Sequence, residues 1–345
     1  MAILKKFLYT FLPLIALTGC YTDFNPDESS KPVLCINSVV TAGAPISVSV
    51  DHTWRYNEPI AASEREVKDA VISIYVNGEL KDSTYVAAEG DEVRVLCESE
   101  EYGNAEASVT VPYVTPIDKF EFTPYAISSW TYDQDGFGVI VRFNFDVEIG
   151  ISDMRPDLEY FRLVCETYDM GIPDQDIGDE GGESESPQRY SYLSVGELDE
   201  NSDMIFMEHI GISEYMIGGI SNRGLFFTDR TFSGSSYTVS LKFDRAYFEA
   251  SGPELDDALL DCGIRFTLMT VSRSYYDRIN YLWQKNSGII GEMADMGLAD
   301  PIWGYSNVSS GAGVVAAQAI TTYDLNLKDF LYDTIKNIIE EEGDK

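Results

Sequence analysis

The chain has 345 residues, with 24 lysines and arginines against 58 aspartates and glutamates, a formal net charge of −34. That length allows two ordinary domains or one large β domain. A surface so acidic repels phosphate backbones and anionic lipid headgroups, which excludes nucleic acid as a partner and adsorption to membranes through basic patches.

At the N-terminus Lys5 and Lys6 precede an apolar run from Phe7 to Leu17, and Thr18 and Gly19 then lead into Cys20. This is the layout of a secretory leader ending in a lipoprotein processing site. The run is broken by Pro13 and is too short to span a hydrocarbon core of ~30 Å. Residues 1–19 are therefore expected to be removed, with a diacylglycerol joined to the Cys20 thiol and the freed amine acylated. Each buried methylene contributes ~0.8 kcal/mol, so several acyl chains anchor the protein stably. The leader carries two lysines and no acid, so the mature net charge is −36. Residues 20–31 are polar, acidic and without periodicity, and read as a tether.

Residues 32–114 are expected to form an immunoglobulin-like β-sandwich. The candidate strands are VLCINSVV, ISVSV, VISIYV, KDSTYV, EVRVLC and ASVTV, separated by turn signals. Asn77 and Gly78 between two of them predict a tight hairpin, because both turn residues must take positive φ. The segment PYVTPIDKFEFTP holds three prolines and reads as a junction.

Residues 115–325 are expected to form a larger antiparallel β domain. Its candidate strands are DKFEFTPY, GVIVRFNFDV, EYFRLVCETY, YSYLSV, MIFMEHI, GLFFTD, YTVSLKF and GIRFTLMTV. The stretch Asp174 to Glu185 has six acids and three glycines and must be an exposed loop. Two helices interrupt the pattern. One places Tyr275, Tyr276, Ile279, Leu282 and Trp283 on a shared face behind Ser272 or Ser274 as cap. The other, within residues 326–345, carries Leu327, Phe330, Leu331, Ile335, Ile338 and Ile339 on one stripe, with Asn326 as cap. The fold class is thus mainly β.

Cys35, Cys97, Cys165 and Cys262 remain after Cys20. An exported chain is in a disulfide-permissive compartment, and pairing Cys35 with Cys97 and Cys165 with Cys262 keeps each bridge inside one domain. Four buried free thiols are the alternative. None of the four lies in a metal-ligand spacing, and no metal or cofactor is expected.

The lipobox, the immunoglobulin-like segment ending Val111, Pro112, then Thr115, Pro116, Ile117, Asp118, the helix YYDRINYLW and the closing stretch ADPIWGYSNVSSGAGVV together resemble the Bacteroidetes lipoprotein family catalogued as domain of unknown function 4249. The likeness covers about residues 30 to 324. Asp300, Pro301, Ser306, Asn307 and the Gly311, Ala312, Gly313 turn are its most distinctive part. It departs at Val314 and Val315, where a bulkier aromatic is expected, and in the added C-terminal helix. The resemblance implies an outer-membrane lipoprotein, an accessory of TonB-dependent receptors in nutrient uptake, with no established reaction.

Motifs of catalysis are not assembled in the sequence. His52 and His209 stand alone, and no serine lies in a nucleophile elbow. Gly311, Gly313 and Ala316 match G-x-G-x-x-A but follow a polar run rather than a strand, so a turn into a strand is expected, not a dinucleotide site. Asp133, Asp135 and Gly136 begin like a calcium loop but lack its later ligands, and a hairpin turn accounts for them. Trp54, Trp130, Trp283 and Trp303 would stack on sugars if exposed, although aromatics of β proteins are mostly core. The expectation is a lipid-anchored, non-enzymatic binding or accessory protein of the outer membrane, held by the lipid on Cys20 and serving a TonB-dependent receptor. The alternatives are a surface hydrolase acting on glycan or peptide, which needs convergent acids in a pocket, and a structural or adhesive module.

Overall fold

The computed structural model describes residues 31–54, 61, 64–133, 137–152, 155–169, 190–195, 197–198, 202–207, 225–252, 262–286, 291–293, 296–298 and 304–343. The leader, Cys20, the tether as far as Ser30, the acidic loop, His209 and Trp303 lie outside the described residues.

The fold is mainly β, in several antiparallel sheets, as expected. Its strands in chain order are β1 (Leu34–Thr41), β2 (Ser49–His52), β3 (Val71–Val76), β4 (Glu79–Lys81), β5 (Glu92–Ser99), β6 (Gly103–Thr110), β7 (Ile117–Asp133), β8 (Phe137–Ser152), β9 (Tyr160–Asp169), β10 (Tyr190–Ser194), β11 (Glu197–Leu198), β12 (Leu225–Thr228), β13 (Ser236–Gly252), β14 (Cys262–Val271) and β15 (Ala312–Asn326). Helix α1 (Arg273–Asn286) precedes β15, and α2 (Lys328–Gly343) follows it. Ser272 caps α1 by accepting the Tyr275 amide at 3.3 Å, and Asn326 caps α2 by accepting that of Lys328 at 2.8 Å.

Three sheets make two cores. A four-stranded sheet, β4-β3-β5-β6, faces one end of a six-stranded sheet ordered β12-β9-β14-β15-β1-β2. Between them lie Leu34, Ile36, Val76, Val93, Val95 and Cys97, joined by Val308, Val315 and Ala317 from the far end of the chain. The other end of the six-stranded sheet faces β10-β13-β8-β7 across a second core of Phe143, Phe145, Phe161, Phe227, Phe243 and Phe266. An immunoglobulin-like domain closed within residues 32–114 is not what forms. β1 and β2 belong to the same sheet as β15, and β1 pairs with β15 in parallel.

β15 therefore serves both cores. Its first half runs parallel to β1, from Cys35 opposite Ala312 to Thr41 opposite Gln318. Its second half runs antiparallel to β14, from Val271 opposite Gln318 to Gly263 opposite Asn326. At Gln318 the strand passes from one partner to the other, and the Gln318 amide donates to Thr41 Oγ1 at 3.1 Å. The edge of the first half that β14 does not reach is satisfied by side chains. Asn307 donates to the Val315 carbonyl at 2.8 Å and accepts its amide at 3.0 Å, while Ser272 Oγ accepts the Ala317 amide at 3.0 Å. The asparagine singled out in the closing motif thus replaces a strand backbone.

The glycines of that motif also have a steric cause. A Cβ on Gly313 (φ +100°) would lie 2.1 Å from the Ile36 carbonyl oxygen, and one on Gly311 would lie 2.6 Å from that of Leu34. The turn into a strand is as expected, and β1 lies against it.

Local chemistry explains the other departures. KDSTYV breaks after Lys81 because Asp82 accepts the Thr84 amide at 2.9 Å and folds the chain into a turn. MIFMEHI begins as a 3-10 turn, Met204–Met207, because Asp203 accepts the Ile205 amide at 3.0 Å and the Tyr237 hydroxyl at 2.8 Å. Pro124 does not end pairing, since β7 is an edge strand and Pro124 sits opposite Phe145 without breaking a ladder on its open side. Asn77 and Gly78 take φ of 52° and 83°, as the hairpin requires. Asn77 further donates to Asp91 at 2.8 Å.

Besides a register shift of β7 between Ile117 and Lys119, the long strands share one bend. β7 shifts register between Tyr125 and Ser128, and β13 between Phe243 and Ala246, on either side of Asn144 of β8. Asn144 accepts the Arg245 amide at 2.9 Å. Two bulges beside one residue curl the sheet over α2, whose Phe330 packs on Phe122 and Phe143.

Two measurements check this account. Gly43→Ala, where φ is +80° and no atom lies within 4 Å, is expected to cost about 1 kcal/mol for backbone conformation alone. Gly313→Ala adds a collision with β1, and at least about 3 kcal/mol is expected in denaturant unfolding. The second concerns Asp91, which accepts from Ala88 N, Asn77 and the Tyr85 hydroxyl. Burial opposes its charge, but these hydrogen bonds outweigh it and hold the carboxyl below its ordinary value. A depressed carboxylate stabilises the fold above its unfolded pKa, ~3.9, and that stability is lost as pH falls through the folded value. The stability gap between wild type and Asp91→Asn should therefore be full at neutral pH and close below about pH 4.

Candidate functional site

Successive side chains of a strand point to opposite faces, so the buried run Val139, Val141, Phe143 on β8 sends Ile140, Arg142 and Asn144 outward. Register then fixes their neighbours. One outward row crosses the sheet as Trp130, Ile140, Glu249 and Tyr192, and the next as Ser128, Arg142, Tyr247 and Ser194. Trp130 is 49% exposed and Tyr192 42%.

The two rows interlock through rings and one cation. The Arg142 guanidinium lies 5.1 Å from the Trp130 ring centre and 5.6 Å from that of Tyr247. Tyr247 and Tyr192 stand 6.4 Å apart, tilted by 57°. The Tyr247 hydroxyl donates to Glu249 at 2.6 Å. Flat faces of an aromatic ring attract positive charge, so the guanidinium is held in place between Trp130 and Tyr247. Among the described residues Arg142 makes no ion pair, unlike Arg265 with Asp324 at 2.7 Å or Arg155 with Glu159 at 2.6 Å. Its fork of donors is left pointing to solvent in a chain with more than twice as many acids as bases.

Position adds to composition. Thr321 of β15 donates to the Thr115 carbonyl, Tyr323 stacks on Phe120, and Phe330 of α2 meets Phe122, so β7 runs in the same direction as β15. β1 also runs with β15, and the described chain enters at the β1 start. The aromatic rows therefore lie at the opposite end, up to ~70 Å away along the strands at ~3.3 Å per residue.

The surface also carries clefts among the described residues. One of about 390 Å³ lies between β6, the turn before β9 and the start of α1, and includes Glu159, Ser272, Arg273 and Asn307. Another of about 710 Å³ lies between β9 and β10 and includes Arg162, Glu166, Thr167 and Tyr192. Each presents one carboxylate among its described lining residues. No group of three metal-ligating side chains occurs among the described residues.

The other residues singled out from sequence are placed as follows. His52 stacks on Tyr102 at 4.8 Å and bonds the Thr53 and Glu64 carbonyls through its two ring nitrogens, a structural role. Trp54 is 45% exposed, with the Arg65 guanidinium 4.4 Å from its ring. The side chain of Trp283, and Asp135 and Gly136, lie outside the described residues. β7 and β8 pair from Asp133 opposite Phe137 onward, as a hairpin there requires.

The expected disulfides are not made; all four cysteines are free thiols. Cys165 stands opposite Phe266 and Cys262 opposite Asp169, which separates them by four residues, about 13 Å along the ladder. A disulfide spans less than ~7 Å between Cα atoms. Cys97 points into the first core, whereas Cys35 lies on the opposite face of β1 from the buried Leu34 and Ile36.

No family model, curated protein or solved structure matches the chain.

Thiol titration tests the cysteine placement. Four reactive thiols are expected once the chain is unfolded without reductant, in addition to whatever occupies Cys20. In the native protein Cys97 should be silent, because burial pushes its pKa up to about 11, as should the buried Cys165 and Cys262. A count of two or none in the unfolded chain would mean that disulfides exist.

Proposed function

We propose that this chain is a lipid-anchored protein of the outer membrane that works by binding, as a non-enzymatic accessory of a TonB-dependent receptor in nutrient uptake. The leader and Cys20 support the anchor, and the resemblance of the closing motif supports the setting. The observation that carries the binding role is the face of exposed Trp130, Arg142 and Tyr192 around half-buried Tyr247, at the opposite end of the strands from the start of β1. Trp, Tyr and Arg are the residue types that dominate binding hot spots, and a monomer rarely leaves them clustered in solvent.

The test is made in the native host with a tagged full-length protein. Labelled palmitate should enter the wild type and not Cys20→Ala. Gentle detergent extraction of the wild type should then recover an outer-membrane receptor in stoichiometric amount. Emergence of the labelled protein alone would overturn the accessory role while leaving the anchor in place.

A further inference from the structure

We propose that the outward face of the distal half of the five-stranded sheet binds a neutral carbohydrate chain. The proposal rests on the binding role above and names its ligand class.

Four strands, β7, β8, β13 and β10, supply the face, and the cleft between β9 and β10 reaches it at the Tyr192 and Ser194 end. Among the described residues nothing lies across the rows to enclose a small metabolite, whereas an extended chain can lie over several strands. The C–H faces of a sugar ring carry partial positive charge and fit the negative face of an aromatic ring. Trp130 and Tyr192 stand at the two ends of the aromatic row, and each is more than two-fifths exposed. A chain crossing the face meets an aromatic ring at either end.

Between those rings stand the groups that hydroxyls require. Arg142 presents several N–H donors fixed in one plane by Trp130 and Tyr247, so little side-chain freedom is lost when they bind. Glu249 supplies a carboxylate acceptor on the adjoining strand, oriented by the Tyr247 hydroxyl. Ser128 and Ser194 flank them.

Charge selects the class. Within the two rows the charged groups are one cation and one anion, Arg142 and Glu249, which match dipolar hydroxyls and favour no net charge on the ligand. The surrounding chain, at −34, repels polyanionic glycans. A second copy of this chain is disfavoured for the same reason.

Affinity electrophoresis of the detergent-solubilised, full-length protein supplies the test, in gels cast with neutral polysaccharides (glucan, mannan, xylan, galactan) and, separately, with polyuronate. Retardation by at least one neutral polymer is expected. Trp130→Ala and Tyr192→Ala should each weaken it by about tenfold or more, with melting temperature unchanged. Trp54→Ala, on an exposed tryptophan just past β2 and away from the two rows, should leave retardation intact. Arg142→Ala covers the case in which Trp130→Ala proves unstable. No retardation by any neutral polymer overturns the proposal, as does retardation by polyuronate alone or retardation that all three face variants leave unchanged. Recovery of a receptor with no glycan binding would keep the accessory role and discard the ligand class.

Discussion

One strand holds this molecule together. β15 lends its first half to β1 and its second half to β14, and both cores depend on it. The first core cannot be completed by residues 34–111 alone, because Val315 and Ala317 fill it and Val308 closes its rim. The second takes β14 and β15 as one wall, and Leu327, which joins β15 to α2, fills it together with Leu331 and Ile335 of α2. A strand with two partners in sequence leaves edges at the handover. Asn307 and Ser272 satisfy them and so stand in for a piece of sheet, while the Gln318 amide ties β15 to the Thr41 hydroxyl of β1.

The same frame places the exposed face. Bulges on both sides of Asn144 turn the long strands over α2, and beyond that bend the inward side remains buried while, among the described residues, the outward side has no sheet across it. Arg142 and the rings beside it stabilise one another at low cost, since a guanidinium between two aromatic faces keeps its charge in water. Rigidity at an exposed surface is what a binding site requires and what an ordinary solvated face lacks.

Much of this was legible in the residues, where the signal is local. Asn77-Gly78 forms its hairpin, Ser272 and Asn326 cap their helices, and alternation in GVIVRFNFDV assigns Val139, Val141, Phe143 and Phe145 to one side. What could not be read is whatever depends on remote register. Nothing near Cys35 announces Ala312 as its neighbour, because parallel pairing has no turn to encode it. The glycines at 311 and 313 were visible as a turn into a strand, but their cause is the backbone of β1. Trp130 was visible as a tryptophan. That it lies beside Arg142 depends on the bulge between Tyr125 and Ser128, which shifts β7 relative to β8. The cysteines misled for a related reason, since proximity within a domain says nothing of ladder position.

The handover at Gln318 also sets an order of events during folding. The six-stranded sheet lacks a middle strand until residues from Ala312 onward have been made, a separation of 277 residues between Asn37 and Val314. Until then β1 has an open edge, the state most prone to wrong pairing. Completion of the first core therefore waits for synthesis of β15, and a holdase acting on β1 would matter more to yield than the final stability of either core.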